Sequence, residues 1–527
     1  MGEAQAGASA GRRVAGAALL LAASILLSRL LGFARESVIA ALIGRGRSTD
    51  AYNAAFQIPD ILFYLLAGGA LSIAFIPLYQ GVKNERGAAA AERFLATVLG
   101  TMTTLTALAT VMLWLAADAL VALQFPRFEP EAQRLTAGLT RVVLPAQIFF
   151  MAGGIVRGAL MAEDRFRSQA LAPLVYNLAI IAGGLGFAGS LGVAGFAWGA
   201  LVGAALGSLG TALFEARGRI RVGFRVAPFD RDFLRYLWAA LPLMLGVTLI
   251  TVDEWYDRWF GGALTAGAIA TLVFARRLMQ LPVGVVGQAV GTAALPALSK
   301  LVAEGRRDQL DPLVQRTLQA TLALAILLAA GTAALAEPLV RAVYVRGAFA
   351  PGDALPVARA LQLFCLGVPG WVLQAVAVRP FYARGDTWRP MLLGTAFVAA
   401  ALPLYLWLAR SYQTEGLALA GSLAISANAL ATVGVARALH GAPRLGTLLG
   451  TLLRTLACAL PSAALAWLVA DIAVVRSGLV GFTAAVFELA LGGALYAALA
   501  LPLALGLGDT ATRETLRRLL RGVLGRR

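Results

Sequence analysis

The sequence predicts an all-α polytopic membrane protein with about 14 transmembrane helices. Three observations predict it. Of 527 residues, 59% are apolar and only 14% charged, with a mean hydropathy of +0.76, whereas soluble domains carry about 25% charge. Apolar stretches recur at about 14 places between short polar loops. Lys and Arg are unevenly shared between alternate loops, as topology signals require. The composition excludes a soluble enzyme. It also excludes disorder, which needs low hydrophobicity and high charge.

The stretches run approximately over 14–42, 51–80, 94–122, 134–161, 169–188, 192–214, 233–256, 264–299, 313–345, 356–382, 390–409, 416–436, 447–470 and 479–506. About 20 apolar residues cross a bilayer core, so each can serve as one helix. The first follows Arg12 and Arg13 in the manner of a signal peptide but continues to Leu42, too far for a cleaved segment. It is expected to remain as a helix. Turn and cap residues such as Ser48-Thr49-Asp50, Glu163-Asp164-Arg165 and Gly385-Asp386 separate successive helices.

A net charge of +17 would suggest nucleic acid in a soluble protein. Here 29 of the 45 Lys and Arg fall in the two terminal segments and the alternate loops that share their side, against 10 in the opposite loops and six inside helices. That bias places both termini in the cytoplasm and implies an even number of crossings. The charge is then a set of topology signals facing an anionic leaflet, and no nucleic-acid partner is expected.

The chain also resembles itself. Ala70-Leu71-Ser72-Ile73-Ala74-Phe75-Ile76-Pro77-Leu78 corresponds to Gly291-Thr292-Ala293-Ala294-Leu295-Pro296-Ala297-Leu298, the prolines lying 219 residues apart. Met161-Ala162-Glu163-Asp164-Arg165 corresponds to Tyr382-Ala383-Arg384-Gly385-Asp386 at an offset of 221. Two matches at nearly one offset predict two pseudo-symmetric halves of about six helices, residues 1–222 and 223–440, with 441–527 outside the repeat. Two homologous halves with a site between them is a recurring transporter plan.

Six arginines fall inside apolar stretches: Arg29, Arg35, Arg141, Arg157, Arg276 and Arg277. Each costs at least about 2.5 kcal/mol near a helix centre and must face a partner, a cavity or the interface. For Arg141 and Arg157 the expectation is an ion pair or snorkelling to the headgroups. Arg29 and Arg35 lie six apart on one helix, so a kink at Ser28 or Gly32 is expected if both are to point inward. The acids available to them are Glu36, Asp50, Asp60, Asp253, Glu254 and Asp257. Either these groups satisfy one another, or the arginines line an anion site. Two arginines in the first helix and a pair in the eighth favour the anion, because guanidinium grips phosphate bidentately and keeps its charge.

Other chemistries are excluded or weak. Cys365 and Cys458 sit far apart within apolar runs, and His440 is the only histidine, so no metal or redox cofactor is expected. Neither Lys83 nor Lys300 follows a Gly, which rules out a Walker A loop and hence ATP as a partner. Asp253 could hold a coupling cation or pair with an arginine. Asp230-Arg231-Asp232 matches the letters of a glycosyltransferase metal motif, but Asp just before an apolar helix is an ordinary cap. The expectation is therefore a protein that is not an enzyme.

Several motifs stand in order along the chain. They are Ser28-Arg29-Leu30-Leu31-Gly32-Phe33-Ala34-Arg35-Glu36 with Ser48-Thr49-Asp50-Ala51-Tyr52, then Phe274-Ala275-Arg276-Arg277-Leu278-Met279-Gln280-Leu281-Pro282 with Leu295-Pro296-Ala297-Leu298-Ser299. Tyr344-Val345-Arg346-Gly347-Ala348-Phe349 and Phe381-Tyr382-Ala383-Arg384-Gly385-Asp386-Thr387 follow. Taken together they resemble the motifs of the MurJ (MviN) family of lipid II flippases. The resemblance implies the multidrug/oligosaccharidyl-lipid/polysaccharide exporter fold, with two six-helix lobes around a central cavity and two C-terminal helices forming a lipid-tail groove. It implies transport of lipid-linked peptidoglycan precursor to the outer leaflet by alternating access, with membrane lipids and the cell-wall synthesis machinery as partners. It assigns the headgroup to Arg29, Arg35 and Arg277 with Ser28 and Asp50, and leaves Glu36, Asp253 and Arg276 as candidates for gating or ion coupling. The second helix departs from the family pattern. Phe63-Tyr64-Leu65-Leu66-Ala67-Gly68-Gly69-Ala70 stands where many members carry an arginine pair and a Glu. The alternatives are a flippase for another polyprenyl-diphosphate glycan of O-antigen or capsule type, a drug exporter, for which cavity acids would be needed, and a membrane glycosyltransferase.

Overall fold

The computed structural model describes residues 2–67, 74–245, 249–284, 306–384 and 388–523, together with Leu301, Glu304 and Asp386. Every regular element among them is helical, and nine helical stretches are long and apolar enough to cross a membrane. The chain separates into two compact units, one before and one after residue 246. The first internal match, 70–78 with 291–298, falls largely outside the described residues, as do Leu295–Ser299 and, in the second match, Gly385.

In the first unit α1 is Gly2–Ile43, α2 Arg47–Ala55, α3 Gln57–Ala67, α4 Ile76–Arg86, α5 Ala88–Leu115, α6 Ala117–Gln124, α7 Pro130–Val143 and α8 Ala146–Ala162. Then come α9 Arg167–Leu191, α10 Ala194–Gly203, a π-helical segment Ala204–Gly210, α11 Thr211–Ala216 and α12 Arg231–Leu245. Several stretches expected as single helices are divided. The second stretch becomes α2, α3 and α4, with a break at Phe56. Pro59 has no N–H to donate back across that break, so the next helix starts anew. Pro145 likewise separates α7 from α8. The core of this unit packs Phe75, Phe94, Ile155, Phe233 and Tyr236 from α4, α5, α8 and α12 and their approaches. Glycines set the closest helix contacts. A Cβ on Gly153 of α8 would come within 2.3 Å of the Ser208 carbonyl oxygen, and one on Gly199 of α10 within 2.6 Å of the Ala179 carbonyl oxygen.

The second unit comprises α13 Leu249–Gly261, α14 Ala268–Val283, α15 Arg307–Ala334, α16 Ala336–Tyr344, α17 Ala354–Ala377, α18 Arg379–Ala383, α19 Trp388–His440, α20 Leu445–Ser477, α21 Gly481–Leu507 and α22 Thr510–Val523. Helix α19 is two arms joined at Gln413, whose φ of 52° lies in the left-handed region. Gly416 lies against the Leu408 carbonyl there, where a Cβ has no room. These arms match the stretches expected at 390–409 and 416–436. The C-terminal elements are tied in by side chains: Leu322 and Ile326 of α15, Ala459 of α20, Ala500 of α21 and Leu516 of α22 share one apolar cluster.

Candidate functional site

Helix α1 runs without interruption through Ser28 and Gly32, and from it the Arg35 side chain reaches α9. Its Nη1 donates to Asn177 Oδ1 at 3.2 Å and its Nη2 to Glu36 Oε1 at 2.7 Å, while Nε is buried without an acceptor. Asn177 in turn donates to the Pro173 carbonyl at 2.9 Å and reaches Ser28 Oγ at 3.5 Å. Ser28, Arg35 and Glu36 are thus brought together by a residue that sequence reasoning missed. The signal available was an Asn four residues after a helical Pro, the position from which an amide can bond that proline's carbonyl. Arg29 is half-buried and, among the described residues, has no carboxylate partner. Asp50 is buried in the first turn of α2, beside Thr49, whose hydroxyl donates to the Gly44 carbonyl at 2.7 Å.

The other intramembrane arginines of this unit divide cleanly. Arg141 forms the expected ion pair, with Nη1 and Nη2 donating to the two Asp118 carboxylate oxygens at 3.1 and 2.6 Å and the guanidinium 5.5 Å from the Trp114 ring centre. Arg157 does not. Its Nη1 donates to the Ser208 carbonyl and hydroxyl at 2.8 and 2.9 Å, and no carboxylate is paired with it among the described residues.

In the second unit Arg276 of α14 is buried between Asp253 and Asp257 of α13, bonding both. The Tyr405 hydroxyl of α19 also donates to Asp253. Phe364 and Trp371 of α17 cover the guanidinium at 4.5 and 5.9 Å. Of the two readings of Asp253, the geometry is that of the ion pair. Asp257 and Tyr405 are further members the sequence reading left unassigned, although Asp257 lies four residues from Asp253 and so on the same helix face. Arg277 points elsewhere, donating to Gln280 Oε1 at 3.1 Å, with Gln280 donating to Glu254 at 3.3 Å. No group of acids, His and Cys suited to a metal occurs among the described residues. Asp230 accepts from the Asp232 N–H at 3.0 Å, and Asp232 pairs with Arg86 at 2.8 Å, so that Asp-Arg-Asp run caps and anchors α12.

A family model described as "Lipid II flippase MurJ" matches residues 39–487. The chain belongs to the MurJ family. A probable lipid II flippase MurJ of Rhizobium meliloti (strain 1021) is 32% identical over 412 residues, covering 76% of this chain and 77% of the relative. The lipid II flippase MurJ of Burkholderia cenocepacia is 29% identical over 71% of this chain and 74% of its own length. A solved MurJ structure in an inward closed conformation superposes with a TM-score of 0.77 at 21% identity, over 93% of this chain and 99% of that one. A transporter of the MATE family, in the MOP superfamily, reaches 0.66 at 15% identity over 79% and 94%. MurJ membership makes the chain a multi-pass inner-membrane protein of the exporter fold that the motifs implied. The matched span contains Glu36's downstream neighbours, Asp50, Arg276 and Arg277, but begins after Arg29 and Arg35, which extend the same helix N-terminally.

Proposed function

We propose that this MurJ-family chain moves lipid-linked peptidoglycan precursor (lipid II) from the inner to the outer leaflet of the cytoplasmic membrane by alternating access. Arg29, Arg35 and Arg277 bind the diphosphate headgroup, with Ser28 and Asp50 beside them. The observation that carries this reading is the charge balance on α1. Among the described residues Arg35 is paired with Glu36 alone, its buried Nε has no acceptor, and the half-buried Arg29 has no carboxylate. A half-buried guanidinium whose charge no carboxylate balances is poised for phosphate oxygens. Glu36, Asp253 and Arg276, already inside ion pairs, are assigned to gating or ion coupling. The polyprenyl tail is assigned to helices thirteen and fourteen, about 447–470 and 479–506, within the segment 441–527 that lies outside the two repeated halves 1–222 and 223–440 and ends in a basic tail. The Lys and Arg bias supports both termini being in the cytoplasm.

The test is native mass spectrometry of the detergent-purified protein, which should retain a lipid with the mass of a polyprenyl-diphosphate glycan. Arg29→Ala, Arg35→Ala and Arg277→Ala should each abolish rescue of a strain depleted of its own flippase while still inserting. Full rescue by all three defeats the proposal. A second reading, a flippase for another polyprenyl-diphosphate glycan, is favoured by one feature of α3. Phe63 stands in the stretch where many family members carry arginines, and its ring meets Phe150 at 5.9 Å. The mass of the retained lipid separates the two readings.

A further inference from the structure

Among the described residues no carboxylate neutralises Arg157. Only its Nη1 is used, and both acceptors are neutral oxygens of Ser208. Nε and Nη2 make no bond to the protein among the described residues, yet they are not sealed from contact. A purely structural clamp between α8 and the π-helical segment would not need this charge, because Gly153 already lets the two backbones touch at Ser208.

Its neighbours place it beside the Arg35 cluster. The π-helical segment that holds Arg157 through Ser208 lies on α9 one residue earlier: a Cβ on Gly207 would sit 3.1 Å from the Tyr176 nitrogen and 2.8 Å from the Ala172 carbonyl. The residue after Tyr176 is Asn177, which accepts from Arg35. On α8, Phe150 precedes Arg157 by seven residues, hence on the same face and about 10 Å along the axis. Phe150 meets Tyr176 with ring centres 5.3 Å apart. Arg35 on α1 and Arg157 on α8 therefore flank one short stretch of α9. One has a single carboxylate partner and the other none, and π-helical turns of this kind recur at functional sites.

We infer that Arg157 is a further binding residue for the phosphate-bearing headgroup, supplying its free Nε–Nη2 edge to phosphate oxygens. The inference rests on the proposed function and adds to it a cation in α8. A bidentate fork on a phosphate requires two donors on one rigid edge, which Arg157 leaves open and lysine cannot offer.

The experiment uses the full-length protein in nanodiscs, titrated with a polyprenyl diphosphate, with the matching polyprenyl alcohol and, separately, with inorganic pyrophosphate. Arg157→Gln and Arg35→Gln should each weaken polyprenyl diphosphate binding by roughly tenfold, and Arg157→Lys should weaken it by less, with binding of the alcohol unchanged in all. Loss of pyrophosphate binding in parallel identifies the phosphates as the contact. Loss confined to the lipid form places the contact on a tethered headgroup, and either result supports Arg157. If Arg35→Gln weakens binding and Arg157→Gln does not, Arg157 is a clamp only and the proposed function stands. If neither variant weakens binding, the diphosphate reading itself fails. Should Arg157→Gln not fold, Arg157→Lys decides: weakened diphosphate binding supports the inference, and unchanged binding overturns it.

Discussion

Arg35 and Arg276 are the same residue type, each carried by an apolar helix with a carboxylate within bonding distance, yet their environments differ in kind. Arg276 is saturated. Two carboxylates share its nitrogens, a tyrosine hydroxyl completes Asp253, and two aromatic faces close over it. Arg35 has one carboxylate, one amide and a buried Nε with no acceptor. An anion brought to Arg276 would meet a surplus of negative charge, and one brought to α1 would meet a deficit. A membrane arginine is thus fitted for binding by what its neighbours withhold, because the desolvation cost has already been met in both places.

The comparison can be broken by counting the carboxylates each substitution leaves alone. Arg276→Met leaves Asp253 and Asp257 buried without their cation and should cost about 3–5 kcal/mol, enough to lose the monodisperse protein on size-exclusion chromatography. Converting Asp257→Asn in that background should recover part of the loss, a coupling that a thermal-unfolding cycle would expose. Arg35→Gln removes the cation from the buried Glu36 and should cost about 1–3 kcal/mol, while Arg29→Gln takes a cation from no carboxylate among the described residues and should leave the unfolding midpoint almost unchanged. Activity should run the opposite way, with Arg29→Gln inactive in the depleted strain despite its stability. A stable Arg276→Met protein would show that the cluster is not the structural half of the pair.

Glycines sharpen the same contrast at smaller cost. A Cβ on Gly421 would lie 2.6 Å from Asp253 Oδ1 and 3.1 Å from the Tyr405 hydroxyl, so Gly421→Ala overpacks the Arg276 cluster and should cost about 1–3 kcal/mol. Gly32, between Arg29 and Arg35, has nothing within 4 Å of a Cβ. Gly32→Ala should be neutral or stabilising by up to about 1 kcal/mol, through helix propensity alone. Equal effects in a thermal-shift measurement would mean that the two surroundings are equally packed.

Hydropathy made the helical fold legible, because nothing but a helix satisfies its backbone within a single segment in lipid. It could not mark breaks inside an apolar stretch. Pro59 and Pro145 are as compatible with a kinked single helix as with two helices, and Ala116 carries no signal at all for the end of α5. Charge within the membrane was legible as a problem needing partners, and Arg141 with Asp118 resolved it as expected. Which partner each arginine takes was not legible. Asn177 reaches Arg35 across 142 residues and Tyr405 reaches Asp253 across 152, contacts set by helix packing rather than local pattern. Arg157 was expected to pair or to snorkel, and the missing carboxylate emerges only once α8 is seen against the π-helical segment.

A small, pH-dependent effect is expected where a charge sits outside the membrane-spanning helices and is satisfied locally. Asp509 precedes α22, accepting from the Thr512 N–H at 2.8 Å and from Gln319 Nε2 at 3.0 Å, with the Thr451 hydroxyl also donating to it. Partial burial opposes its charge, but the hydrogen bonds from Thr451, Thr512 and Gln319 outweigh burial and hold the carboxyl below its ordinary value of 3.8. A depressed folded-state value stabilises the fold above the unfolded value, and that contribution fades as the pH falls through the lower one. Asp509→Ala should therefore cost about 1 kcal/mol at neutral pH, the usual worth of a cap. Wild type and variant should converge as the pH drops below about 4. Because Asp509 ties α22 to α15 and α20 and is not among the residues assigned to the headgroup, rescue of the depleted strain should survive its loss. If rescue fails while the protein stays folded, the C-terminal helix takes part in transport and the division between binding and structural charges drawn above is too simple.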